Sequence, residues 1–153
     1  MIYVEDLPHQ RLLLTLGVGR KRIIVKGPKY EVGKSVEKYP DSIGLIDEDS
    51  DKGSPQPRIL NKLRLKNQQH NLKIYVGERR RIVVISPATI EDWILKICLS
   101  YGLNPKTEFG LENDPRELKK VINRRLDKFG DLVKKLLELK DPALYCLRKE
   151  MLE

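Results

Sequence analysis

The stretch Ser42-Ile43-Gly44-Leu45-Ile46-Asp47-Glu48-Asp49-Ser50-Asp51 decides how this chain is read. Ile43 to Ile46 is apolar throughout, the pattern of a central strand buried on both faces of a parallel sheet. At its exit stand three carboxylates at spacing two: Asp47, Asp49 and Asp51. Such a row of hard oxygens suits Mg²⁺, which takes one or two protein carboxylates and completes its shell with water and substrate phosphate. Asp47 and Asp49 are the expected ligands, with Asp51 a third ligand or an outer partner. Glu48, between them in extended chain, is expected to point the other way. Taken alone, the string reads equally well as a solvated acidic turn, because Asp and Ser favour turns for their own hydrogen-bonding reasons. An EF-hand fits poorly. Counting from Asp47, Lys52 falls where that loop needs Gly and Arg58 where it needs Glu.

Upstream, Ile2-Tyr3-Val4 is a short β-prone run that ends at Glu5, and Pro8 suits the first turn of a helix with Asp6 or Leu7 near its cap. Arg22 to Lys26 predicts a second strand, and a short helix is expected over Gly33 to Lys38. This β-α alternation predicts an α/β fold with a mainly parallel central sheet flanked by helices. In open sheets of that kind ligands gather at the carboxyl ends of the strands. If strands one and three are neighbours, Glu5 converges on Asp47 across about forty residues of sequence. Glu5 then suits a second metal contact or general acid/base work on a phosphodiester.

Downstream, residues 51–69 read as a long loop with a helical turn around Leu60 to Leu65. Leu72 to Val76 and Arg81 to Ile85 predict a hairpin closed by Gly77-Glu78-Arg79-Arg80. Ser86-Pro87 is expected to open a helix with Ile90, Trp93, Ile94, Ile97 and Cys98 on its apolar side. Glu91, in its first turn, has two readings: a further metal or outer carboxylate, or an acid that complements the helix dipole beside the capping box Thr89-x-x-Asp92. A charged helix is expected from Pro115 to about Phe129, interrupted at Gly130, followed by two more helical segments. We expect one domain over 1–153, with sheet and helices in 1–103 and a helical C-terminal extension in 114–153.

The chain has 153 residues and a formal charge of +8, which favours a polyanionic partner, nucleic acid first. From Lys52 to Arg81 the only acid is Glu78, against nine Lys and Arg. Within that run Arg58, Lys62, Arg64, Arg79, Arg80 and Arg81 are the expected phosphate contacts, giving salt-sensitive, sequence-independent affinity. Tyr75 is its one aromatic residue, so a base-stacking platform is not indicated. Gly27-Pro28-Lys29-Tyr30-Glu31-Val32-Gly33-Lys34-Ser35 misses the P-loop spacing, with Pro28 where the first Gly belongs, which leaves Lys34 as a point charge for a phosphate. His9, near Glu5 in sequence, has two readings, a contact to the site or a phosphate and a surface residue at a helix start, the second being expected; His70 has no partner spacing. Cys98 and Cys146 read as buried thiols. No apolar run reaches membrane-spanning length, so a cytoplasmic protein is expected, with a protein partner or a homo-oligomer left open.

A first strand ending in Glu5, an αβ unit, an apolar strand ending in Asp47-x-Asp49 and a helix start Ser86-Pro87-Ala88-Thr89-Ile90-Glu91-Asp92-Trp93 together resemble the TOPRIM fold of topoisomerases, primases and OLD-type nucleases. The closer likeness is to small prokaryotic TOPRIM-like proteins, and it covers most of residues 2–100. The resemblance implies a TOPRIM-like domain with acid/base work at Glu5 and Mg²⁺ (or Mn²⁺) at Asp47 and Asp49. It implies a metal-dependent nuclease, or a nucleic-acid- or partner-binding module on the same fold. The usual TOPRIM motif has Gly directly after its Glu, where this chain has Asp6.

Overall fold

Strand β3 (Ser42–Asp47) lies inside the sheet, as its unbroken apolar run requires. The structure, a computed structural model, describes residues 1–49 and 55–152. β1 (Ile2–Val4) lies on one side of β3 and β6 (Arg80–Ile85) on the other, both parallel to it. β2 (Ile23–Val25) extends the parallel part beyond β1. β5 (Leu72–Gly77) and β4 (Arg64–Gln69) add two antiparallel strands beyond β6, so the order is β2-β1-β3-β6-β5-β4. The result is an α/β architecture on a mixed, mostly parallel sheet, with seven α-helices among the described residues.

Alternation along the strands divides the core in two. Ile2, Val4, Leu45, Ile74, Val83 and Ile85 face a large apolar cluster. That cluster is built from α1 (Leu7–Thr15), α3 (Ile90–Ser100), α5 (Pro115–Val121), α6 (Leu126–Glu138) and α7 (Pro142–Leu152). Tyr3, Ile46, Ile82 and Val84 point to the other face, against Val32 and Val36 of α2 (Lys29–Lys38) and Ile59 of a 3₁₀ turn at Arg58–Lys62. Leu118, Phe129, Leu136, Leu144 and Met151 of the C-terminal helices belong to the same buried cluster as β1 and β3. The remaining helix, α4 (Pro105–Phe109), is one short turn capped by Asn104.

Four boundaries differ from the sequence reading. α2 starts at Lys29, a turn before the expected Gly33, directly behind Pro28, which sits at the N-cap with backbone suited to a helix entry. The expected loop 51–69 contains β4. Leu65 is its one apolar residue, and it is held by backbone pairing to β5 at the sheet edge, a cause that leaves no hydrophobic pattern. α3 starts at Ile90, not at Pro87, because Thr89 and Asp92 form a reciprocal capping box. The helix expected to run from Pro115 to Phe129 breaks at Ile122–Arg125, and Gly130 continues inside α6. There a Cβ on Gly130 would stand 3.4 Å from Arg11 Cδ of α1. That is an ordinary contact with a flexible side chain, and the glycine sits inside a continuous helix beside α1 and not at a break.

Gly33 lies in the middle of α2, where alanine is ordinarily better than glycine by about 1 kcal/mol. A Cβ there would fall 2.3 Å from Pro57 Cβ. Gly33→Ala is therefore expected to lower stability by about 1–3 kcal/mol, measured by urea unfolding, against the sign that helix propensity alone would give.

Candidate metal centre

Parallel pairing places Glu5 beside the exit of β3. Ile43 N–H donates to the Met1 carbonyl at 3.1 Å, and the two-residue period of the ladder brings Asp47 N–H to the level of residue 5. β1 has ended there. The Glu5 backbone carbonyl accepts from Gly27 N–H on the β2 side, and its carboxylate Oε2 accepts from Asp47 N–H at 2.5 Å. Asp6, at the N-cap of α1, has φ −141°, an extended conformation open to any residue. The glycine usual after Glu in the TOPRIM motif is thus not required by the backbone here.

α1 then turns back over the strand ends. His9, in its first turn, is 1% exposed, and its Nε2 lies 2.9 Å from Asp47 Oδ1. The surface position expected for His9 is corrected: the chain folds its helix start onto the acid that ends β3. Glu5, His9 and Asp47 each offer a ligand atom, and those atoms lie within 4.8 Å of one another. Glu91 enters from the first turn of α3, 4% exposed. These four residues line one cavity of about 40 Å³ together with Asp6, Pro8, Lys119, Ile122 and Asn123. It has room for an ion and little water, not for a nucleotide.

The charges in this cavity hold one another away from their ordinary protonation. Burial raises the Glu5 carboxyl, and the negative charge of Asp47 adds to this against the pull of His9. Glu91 rises to about 7, first through burial and then through Asp47. A helix-dipole acid at the surface would not be raised in this way. Burial opposes charge on His9, but Asp47, Glu5 and Glu91 outweigh it and bring the imidazole to about 9. In this lining the carboxylates of Glu5, Asp47, Glu91 and Asp6 outnumber the cationic groups of His9 and Lys119, an imbalance that a divalent cation would offset.

The other expected site residues lie apart. The chain bends after Asp47, and Asp49 N–H donates to the Ala88 carbonyl at 3.1 Å. Asp49 is exposed and lines a separate groove of about 600 Å³ with Gln56, Arg58, Asn61, Lys73 and Tyr75. The structure therefore does not bring Asp49 to Glu5. Asp51 lies outside the described residues. Glu48 does point the other way, where Lys73 Nζ donates to it at 2.5 Å.

The cationic run is distributed over the molecule. Arg80 and Arg81 start β6 at the opposite rim of the sheet, five residue steps or about 17 Å from Asp47 along the strand direction. Arg79 in the preceding turn forms a bidentate pair with Asp41. Arg80 donates to the Val36 and Glu37 carbonyls at the end of α2, and Arg81 pairs with Glu150 at 2.9 Å. Lys62 pairs with Glu37 at 2.7 Å, and Arg64 is exposed on the edge strand. Lys34 is inside α2, within 3.9 Å of Glu31, so Gly33-Lys34-Ser35 forms helix and no phosphate-cradling loop.

Trp93 is core, with its indole N–H on the His70 carbonyl, and Cys98 and Cys146 are free thiols. Among the described residues no helix is long and apolar enough to cross a membrane. In comparisons with known proteins, no family model, no curated protein and no solved structure matches this chain.

Sequence reasoning ranked His9 as a surface residue ahead of a contact to the site, and the structure reverses that order. The one signal for the contact was the spacing of four from Glu5, which places an early helical side chain back over a strand end.

The raised groups set a stability slope. A carboxyl lifted to about 7 stabilises the fold while protonated, and that contribution is lost as pH rises from its unfolded value near 4.5 through 7. His9 acts with the same sign between 6.5 and about 9. The metal-free protein in chelator is expected to lose stability from pH 5 to 9, followed by chemical denaturation. Glu91→Gln should flatten the part below pH 7, on the order of 2 kcal/mol. An unchanged slope would contradict the buried-carboxyl account.

Proposed function

We propose that this chain is a TOPRIM-like protein that binds a divalent metal ion, Mg²⁺ or Mn²⁺, at Glu5, Asp47 and Glu91 and acts on nucleic-acid phosphodiesters as a nuclease in the cytoplasm. The observation that carries this reading is the convergence of Glu5 and Asp47 at the carboxyl ends of adjacent parallel strands, with Glu91 buried beside them. An ion held there would supply Lewis-acid charge to a phosphoryl oxygen. The chain's own groups supply the rest. Asp47 is fixed from two sides, its N–H by Glu5 and its carboxylate by His9. Glu5, whose carboxyl burial raises above its ordinary value, suits the exchange of a proton at its carboxylate. The charge of +8 favours retention of a polyanion.

A second reading, a binding module that keeps the ion for structure, is favoured by the small volume of the cavity, about 40 Å³. The two separate in one assay. Wild type, Asp47→Asn and Asp49→Asn are incubated with supercoiled plasmid and with single-stranded DNA, in Mg²⁺, Mn²⁺ or EDTA. The nuclease reading expects metal-dependent cleavage that falls at least about a hundredfold in Asp47→Asn and much less in Asp49→Asn. Binding by wild type with no cleavage under any metal selects the module.

A further inference from the structure

We propose that His9 is itself a metal ligand, and that the centre therefore takes a first-row transition-metal dication, Mn²⁺ in particular, in preference to Mg²⁺. This rests on the metal-binding half of the function proposed above and specifies which ion the site is built for.

Two observations support it. The first is the grouping: the ligand atoms of Glu5, His9 and Asp47 fall within 4.8 Å of one another, on residues 1–5% exposed. The second is the spacing within it: His9 Nε2 and Asp47 Oδ1 stand 2.9 Å apart, the separation of two ligand atoms each about 2.1 Å from one six-coordinate ion. An ion bound there takes the place of the proton between imidazole and carboxylate.

The donor set decides the ion. Mg²⁺ takes one or two carboxylates, dehydrates reluctantly and keeps several waters. Here two carboxylates and an imidazole are presented together, a third carboxylate, Glu91, lines the same walls, and the cavity is about 40 Å³. That leaves few positions for water. Imidazole nitrogen favours transition-metal ions over Mg²⁺, and Mn²⁺ also accepts carboxylates readily.

The test uses the full chain loaded with Mn²⁺, with spin-echo electron paramagnetic resonance to detect a directly coordinated imidazole ¹⁴N. The chain has two histidines, so His70→Gln, on the exposed one, controls for the other source. The signal is expected in wild type and in His70→Gln and is expected to vanish in His9→Gln. Titration of the same proteins should show His9→Gln weakening Mn²⁺ binding about tenfold or more, and Mg²⁺ binding less. If His9→Gln fails to fold, the wild-type and His70→Gln spectra decide. Mn²⁺ bound without nitrogen coupling, or bound equally well by folded His9→Gln, overturns the role of His9 and leaves the metal centre standing. Failure of wild type to bind either ion overturns both.

Discussion

The Glu5 carboxylate on the Asp47 backbone N–H is the contact around which the rest is arranged. It stands where β1 stops and β3 continues, so a side chain takes a ladder position that the backbone has vacated. That substitution ties three things to one point: the end of β1, the start of α1 and the exit of the central strand. An N–H left unpaired at that depth would cost about 1–3 kcal/mol, so the carboxylate has a structural reason to be there before any chemistry is considered. Its position in turn requires α1 to start at once, which carries His9 over Asp47.

The charges are sorted by the two faces of the sheet. Asp47 continues the alternation of Ile43 and Leu45 and meets His9 and Glu91 on the face covered by α1 and α3. Glu48 continues that of Ile46 and meets Lys73 on the face covered by α2. Adjacent acids thus enter unrelated environments. One set is buried and short of positive charge, and the other is paired and half-exposed. The basic run behaves in the same way. Arg79, Arg80 and Arg81 are consecutive in sequence yet bind Asp41, the end of α2, and Glu150. Much of their charge is spent within the molecule, at the rim away from Glu5.

Elements with a hydrophobic period were legible from sequence: the central strand at Ile43 to Ile46, the β5–β6 hairpin, and the α3 stripe with its Thr89–Asp92 cap. Elements held by backbone pairing or by a neighbour's shape were not. β4 has almost no apolar pattern because its partner supplies the hydrogen bonds and solvent covers it. Gly130 read as a breaker because glycine lowers helix propensity, but burial of Phe129, Leu132, Val133 and Leu136 carries α6 through it.

The candidate site divides along the same line. Residue types and strand ends pointed to Glu5 and to the row Asp47, Asp49 and Asp51, with Glu91 read either as a further carboxylate of the site or as a helix-dipole acid, because acids at the carboxyl ends of apolar strands and in the first turn of a helix are visible locally. Which acids meet was decided only by the tertiary structure. The β2-β1-β3 order set Glu5 against Asp47, the bend after Asp47 turned Asp49 toward another groove, and the angle of α1 buried His9. Periodicity records which face a side chain takes along its own element. It carries no record of the neighbour that element will pack against, and it is the neighbour that turns an acidic strand end into a buried cluster of carboxylates and imidazole.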